Sequence, residues 1–304
     1  MGSIDNKESR EQRRRGLKRM KKVNKNVLKE GGLIVQRDPD HYAIRLKMPV
    51  GRITPDQLRK VAEVAEKEGR GYVHISTRQG LEIPWIPMEK MFDIVEDLQK
   101  ADLYAGSCGP RVRNVTGCPG AECCSFAQID TWELGKELSD RFVGQKVPHK
   151  FKISLSGCTN FCSNPLINDV GITGRIKAKL VPENCTGCGL CVRVCRTKSI
   201  VLEDNGIPEI DKESCIDCGF CVLHCPSEAI EKEEEGYSVY IGGKMGRKPH
   251  FGEELVRFAT EEELFEIIEK TLQYFREFGN AQERLTEVLA REGFEHYKAY
   301  VLEG

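Results

Sequence analysis

Cys185-Thr186-Gly187-Cys188-Gly189-Leu190-Cys191-Val192-Arg193-Val194-Cys195 and Cys215-Ile216-Asp217-Cys218-Gly219-Phe220-Cys221-Val222-Leu223-His224-Cys225-Pro226 decide how this chain is organised. Each run has the spacing C-x2-C-x2-C-x3-C, by which thiolates hold iron–sulfur clusters. Zinc also takes four thiolates, but usually on paired C-x2-C knuckles, and two tandem runs of three gaps fit it poorly. Around the runs, residues 181–235 hold twelve acidic and five basic residues, a local charge of −7 in a chain whose total is −1. A shift of that size marks a separate acidic module, suited to docking on a basic surface.

The flanking sequence reads as a different kind of protein that is interrupted and then resumes. Tyr42, Ile44, Leu46 and Met48 alternate with Ala43, Arg45 and Lys47, the period of a strand with one apolar face. Thr54-Pro55-Asp56 opens a helix whose buried stripe is Leu58, Val61, Ala62 and Ala65, with Gly69 closing it. Strands are expected at Tyr72–Ser76 and Leu81–Trp85, then a helix from Met88 to Lys100. This is the order of a small α+β unit, an antiparallel sheet with helices on one face. A helix ending near Phe142 and a strand over Lys150–Ser156 follow, the latter with Phe151, Ile153 and Leu155 on one face. Beyond the acidic module, Tyr237–Ile241 reads as a strand, Gly242-Gly243 as a tight turn and Glu261–Gly279 as an amphipathic helix.

With 304 residues the chain has material for two domains. Residues 1–30 carry eleven Lys or Arg against four acidic residues and read as a solvated basic tail. No apolar segment stands behind those charges, so neither an export signal nor a membrane span is expected, and the protein is expected to be cytoplasmic. The near-neutral total charge gives no reason to expect nucleic-acid binding. Fourteen cysteines in such a chain point to metal rather than disulfides. Six lie outside the two runs. Cys118 and Cys124 form C-x5-C, and Cys158 and Cys162 form C-x3-C, on two glycine-containing loops able to hold a further cluster. Cys108 and Cys123 are left without an assigned role, a buried thiol being the expected state of Cys123.

The acidic module resembles two-cluster bacterial ferredoxins throughout. That resemblance implies that Cys185, Cys188, Cys191 and Cys225 hold one [4Fe-4S] cluster and Cys215, Cys218, Cys221 and Cys195 another. Arg196 stands where those proteins usually have a proline after the run. The remainder resembles the siroheme sulfite and nitrite reductase family, over residues 32–176 and 236–300. The resemblance rests on C-x5-C followed by C-x3-C, on Thr77-Arg78-Gln79, Arg113-Asn114-Val115 and Lys150-Phe151-Lys152, and on Tyr240-Ile241-Gly242-Gly243-Lys244-Met245-Gly246-Arg247. Within that family the chain is most similar to the ferredoxin-containing siroheme subunits of anaerobic sulfite reductases.

The implied fold is α+β, siroheme sulfite reductase-like half-units with an inserted two-cluster ferredoxin. Its parts are a basic tail (1–31), a ferredoxin-like half-domain (32–110), the first part of a siroheme/[4Fe-4S] domain (111–176), the insert (177–235), and the second part with C-terminal helices (236–304). The implied cofactors are siroheme and three [4Fe-4S] clusters. Cys118, Cys124, Cys158 and Cys162 would hold the third cluster, with Cys162 bridging to the siroheme iron. Arg78, Gln79, Asn114, Gly242, Gly243, Lys244 and Arg247 would contact the siroheme, whose many carboxylates call for fixed cations. Arg45, Arg113, Lys150 and Lys152 would bind the substrate anion and supply protons.

The implied activity is six-electron reduction of sulfite to sulfide. Alternatives are siroheme-dependent reduction of nitrite to ammonia, and a non-catalytic electron-transfer subunit. No flavin or nicotinamide fingerprint is present, so an electron-donor subunit or a soluble carrier is expected. Single-chain assimilatory members carry two tandem half-units and this chain one, so a homodimer, or pairing with a related subunit, is expected to complete the site.

Overall fold

The computed structural model describes residues 24–303. Contacts divide the chain into two compact units: the residues up to Thr116 with Ser139–Phe151, and Gly117–Leu138 with the residues from Lys152 onward.

The first unit begins with α1 (Lys25–Glu30), capped by the Asn24 side chain on Asn26 N–H, with Leu28 buried. The expected solvated tail is therefore helical over its last turn and a half, and the rest of it lies outside the described residues. Strands β1 (Leu33–Val35), β2 (His41–Arg45), β3 (His74–Ile75) and β4 (Leu81–Pro87) form an antiparallel sheet in the order β1-β2-β4-β3. Of these, β1 escaped the sequence reading, and the strand expected over Tyr72–Ser76 shrinks to the exposed two-residue edge β3. Helix α2 (Pro55–Lys67) starts at a capping box in which Thr54 Oγ1 accepts from Gln57 N–H and the Gln57 side chain accepts from Thr54 N–H. With α3 (Met91–Gln99), it supplies Val61, Val64, Ala65, Met91, Ile94 and Leu98 to a core closed by Tyr42, Ile44, Ile83 and Ile86.

The second unit is built on a five-stranded sheet in the order β11-β10-β7-β6-β5. Here β5 is Thr116–Gly117, β6 Ile153–Ser156, β7 Val170–Leu180, β10 Ile230–Ile241 and β11 Glu253–Ala259; β7 runs parallel to β6 and antiparallel to β10, which is antiparallel to β11. The alternation expected for β6 does not give it an exposed face. It is buried along its whole length as an interior strand, with β7 paired on one edge and Cys118 N–H bonded to Leu155 O on the other. Helix α4 (Thr131–Phe142) follows the first cysteine loop, and its last turn belongs to the first unit.

Strands β7 and β10 pair from Val170↔Ile241 to Leu180↔Ile230, much further than the expected strand over Tyr237–Ile241. Val170–Ile176 and Ser238–Ile241 are buried, whereas Glu231–Glu235 are exposed. The far half is thus a two-stranded ribbon, solvated along Glu231–Glu235 and packed through Ala178 and Leu180 on the core of the insert, and residues 181–229 grow from its tip. They hold α5 (Leu190–Val194), the hairpin β8 (Ile200–Leu202) and β9 (Pro208–Ile210), and α6 (Phe220–Leu223), around a core of Cys191, Ile200, Cys221 and Ile230. Both short helices start from a glycine in the left-handed region, Gly189 (φ 70°) and Gly219 (φ 70°), a conformation that side chains other than glycine adopt at a cost. Three helices complete the unit: α7 (Glu261–Phe278), with a capping box of Thr260 and Glu263, α8 (Leu285–Glu292) and α9 (Phe294–Leu302). No helix among the described residues is long and apolar enough to cross a membrane.

Candidate cysteine centres and their cations

Cys118 leaves β5, and its N–H donates to Leu155 O of β6. The loop then folds back at Gly120 (φ 71°), where an added Cβ would lie 2.4 Å from Thr131 Oγ1, and Cys124 N–H closes the turn on Gly120 O. Thr131 Oγ1 donates to Cys118 O at 2.6 Å, tying the loop to the start of α4. Cys158 stands two residues beyond β6. Between them Gly157 donates its N–H to Cys118 Sγ at 3.0 Å, and its Cβ, if present, would fall 2.6 Å from Ala127 Cβ. Burial pushes the Cys158 thiol up, and the negative charge of Cys118, Cys162 and Cys124 adds to the rise. These four sulfurs therefore share one neighbourhood, two strand ends held together by glycines where any side chain would part them. Cys158 is buried, Cys118 and Cys124 half-buried and Cys162 exposed, so the group opens to one side at Cys162; Cys123, expected to be a buried thiol, is exposed instead.

In the insert, Cys185, Cys188, Cys191 and Cys225 line one small cavity with Gly187, Gly189, Pro226 and Ile230. Three sulfurs of the first run thus meet the last of the second. The reciprocal group is Cys195 with the second run: the charge of Cys195 bears on both Cys215 and Cys218, after the larger effect of burial. Burial, then the charges of Cys218 and Cys215, pushes the Cys221 thiol up to about 12. Ser199 N–H donates to Cys195 Sγ at 3.2 Å. Burial raises the Cys215, Cys218 and Cys221 thiols, and sulfurs so placed become good ligands when a metal takes the charge. Among the described residues no group of three or more His, Cys, Asp or Glu is disposed to hold a single metal ion.

The candidate cations fall in both units. In the first, Arg45 is ion-paired with Glu82 (Nη2–Oε1 2.5 Å) and its Nη1 lies 2.6 Å from the buried Cys108 Sγ. Arg78 Nη2 donates to Asn114 O at 2.5 Å, while the Asn114 amide donates to Met48 O and Arg78 O and accepts from Met48 N–H. Arg78 and Asn114 therefore hold one another. Gln79 sits in the left-handed region (φ 57°), in a turn closed on Ser76 O. Arg113 N–H pairs with Phe151 O, next to Lys150.

In the second unit Lys152 immediately precedes β6, and its N–H donates to Asp169 Oδ2 at 2.9 Å. Asp169 is fully buried, both its carboxylate oxygens accept from Arg284 Nη2 (2.9 and 2.8 Å), and its own carbonyl holds Gly242 N–H. Gly242 is left-handed (φ 86°), and a Cβ at Gly243 would strike Leu166 O at 2.3 Å. Lys244 pairs with Glu287 at 2.9 Å, and Arg247 lies at the exposed end of the loop closed by Lys244 and His250. Sequence reading missed Glu82, Asp169, Arg284 and Glu287. Each partners a residue far along the chain, and no local spacing signals such a pair.

Two family models match the chain: the nitrite and sulphite reductase 4Fe-4S domain over residues 108–304, and the nitrite/sulfite reductase ferredoxin-like half domain over residues 34–101. A coenzyme F420-dependent sulfite reductase of Methanocaldococcus jannaschii is 38% identical over 86% of this chain, which spans only 42% of that relative's length. One of the subunits of an anaerobic sulfite reductase of Salmonella typhimurium is 29% identical over 86% of this chain and 83% of its own. The crystal structure of dissimilatory sulfite reductase I matches the fold with a TM-score of 0.71 at 22% identity, covering 86% of this chain and 69% of that one.

Proposed function

The chain belongs to the nitrite and sulfite reductase family, and from that membership we propose that it is a siroheme-dependent sulfite reductase catalytic subunit. The observation that carries this reading is the convergence of Cys118, Cys124, Cys158 and Cys162 on two glycine-pinned loops. Four cysteines of suitable burial and spacing fit a [4Fe-4S] cluster there, and the exposed Cys162 would be the one that also holds siroheme. The two crossed groups of the insert fit two further clusters, which makes residues 181–229 a ferredoxin that feeds the centre. Arg78, Gln79, Asn114, Gly242, Gly243, Lys244 and Arg247 are the candidates to hold the siroheme.

When bound, siroheme coupled to the cluster supplies single electrons to the sulfur of the anion. The chain's own part is electrostatic and acid–base. Lys150, Lys152 and Arg113 would neutralise the oxyanion, and the lysine ammonium groups would donate protons to its oxygens as each leaves as water. Arg45 joins this set already oriented by Glu82. Electrons come from a donor subunit or a soluble carrier.

A second copy completes the reading. Lys152 and Cys158 bracket β6, so up to roughly 20 Å of extended chain separates them. One chain carries one set of cations and one set of thiolates, and a homodimer or pairing with a related subunit would let the set of one chain serve the other. The test is anaerobic reconstitution with iron, sulfide and siroheme. The reading expects chlorin absorption in the red and about thirteen irons per chain, from three four-iron clusters and one haem iron. Viologen-driven turnover should then favour sulfite. Preference for nitrite would move the substrate, and a chain that takes up iron but no siroheme would be an electron carrier only.

A further inference from the structure

The two cysteine runs of the insert differ at the position after the last cysteine, Arg196 against Pro226. Pro226 lines the cavity of Cys185, Cys188, Cys191 and Cys225. Arg196 points elsewhere. Its guanidinium carbon stands 4.8 Å from the ring centre of Phe220 and 5.0 Å from that of Phe126, and its Nη1 donates to Asn160 Oδ1 at 2.8 Å. Phe126 and Phe220 also pack on each other, with centroids 5.0 Å apart.

These partners come from loops that matter. Phe220 lies between Cys218 and Cys221, Phe126 two residues after Cys124, and Asn160 between Cys158 and Cys162. One side chain, itself adjacent to Cys195, thus touches a residue from the second run and one from each cysteine loop of the unit that bears the insert. Other bonds tie the second run to the unit that bears the insert: Gln128 Nε2, just after the first cysteine loop, donates to Cys218 O, and from β7 Arg175 Nη1 donates to Ile216 O and Ile176 N–H to Asp217 O at 2.9 Å. Gly219 leaves no room for a Cβ against Ile176, at 2.9 Å. The cavity of Cys185, Cys188, Cys191 and Cys225, by contrast, is lined by residues 185–230 alone.

We propose that Arg196 is a positioning clamp that holds the Cys195/Cys215/Cys218/Cys221 group against the Cys118/Cys124/Cys158/Cys162 group, making the former the inner station of electron entry. This rests on the cluster assignments proposed above. A low-potential one-electron carrier supplies the outer group. With clusters bound, each passage would oxidise one station by one electron and reduce the next by one, inward to the centre. Arg196 contributes no electron and no proton; it fixes the separation.

The test uses the anaerobic holoprotein with Arg196→Gln, Arg196→Lys and Phe126→Leu. Amide hydrogen exchange at Ile176, whose N–H crosses the seam to Asp217, should speed about five- to thirtyfold in Arg196→Gln, as two cation–ring contacts and a charged hydrogen bond are lost. The hairpin amides of 200–210 should keep their rates. Arg196→Lys, which keeps the charge without the planar stack, should fall between. The magnetic interaction between reduced clusters in the electron spin resonance spectrum should weaken in step, and adding Phe126→Leu to Arg196→Gln should give less than the product of the two effects. Unchanged exchange at Ile176, equal acceleration in the hairpin, or an unaltered spin interaction would overturn the clamp. Iron and sulfide analysis of the same wild-type sample judges the cluster assignments separately, since a shortfall there sinks those and leaves the exchange result standing.

Discussion

Replacing Arg284 by Met tests how the sheet end that carries Lys152 and Gly242 is held. Asp169 is fully buried, and its carboxylate accepts two bonds from Arg284 and one from Lys152 N–H. Arg284 is itself 6% exposed, so neither charge has solvent to fall back on. Removing the guanidinium strands a buried carboxylate, a loss of about 3–5 kcal/mol. At about 2–4 °C per kcal/mol for a unit of this size, calorimetry at pH 8 should record a melting point lower by about 6 to 20 °C.

The pH dependence carries the diagnosis. Burial raises the Asp169 carboxyl, and the Arg284 charge and hydrogen bonds are the main forces holding it down. Without them its folded-state pKa rises further above the unfolded carboxylate value. Above both values the folded variant bears the full cost; as pH falls through the raised one, the folded state takes up a proton that the unfolded state does not, and stability returns. The gap between variant and wild type should therefore narrow from pH 8 to pH 5. Arg284→Met with Asp169→Asn, which removes both charges and keeps an acceptor for Lys152 N–H, should recover most of the loss at pH 8. A deficit that is the same at both pH values, or a double variant no better than the single, would refute the pair as the cause.

Lys152→Met should lower sulfite turnover by about 10² to 10⁴ while iron content and the chlorin spectrum stay as in the wild type, the signature of a lost proton donor rather than a lost cofactor. Gly157→Ala, whose new methyl would meet Ala127 Cβ at 2.6 Å and push apart the loops of Cys118 and Cys158, should cost about four irons per chain on analysis while the insert keeps its own. Mixed dimers of Cys162→Ser and Lys152→Met chains should regain a fraction of wild-type turnover if cations and thiolates of different chains share a site, and inactivity of a verified mixed dimer would exclude sharing.

What the sequence disclosed depended on how far the information travels along the chain. Cluster ligation is written in gaps of two, three and five residues, so all twelve candidate ligands could be named from spacing and resemblance. The spans of the helices over 55–67 and 261–278 were plain, because an N-cap with proline and an amphipathic stripe are local signals, but the stripe of the first is turned from the one expected: Leu58 and Ala62 are exposed and Val64 joins Val61 and Ala65 in the core. The ribbon was not plain. Its outer half pairs Lys179 with Glu231 and Lys177 with Glu234; Glu231–Glu235 are all exposed and offer no alternation to read, while Ala178 and Leu180 on the other strand pack on the core of the insert, a partner that local spacing does not announce. Asp169 and Arg284 stand 115 residues apart, and a buried pair at that range leaves no periodic trace. Arg196 falls between these cases. Set against Pro226 it was visible as an irregularity in a repeat, but a residue that departs from a ligand pattern without being a ligand has no meaning inside that pattern. Its partners Phe126 and Asn160 lie on the loops of a different cysteine group, and only the fold that returns the insert to those loops gives the departure a consequence.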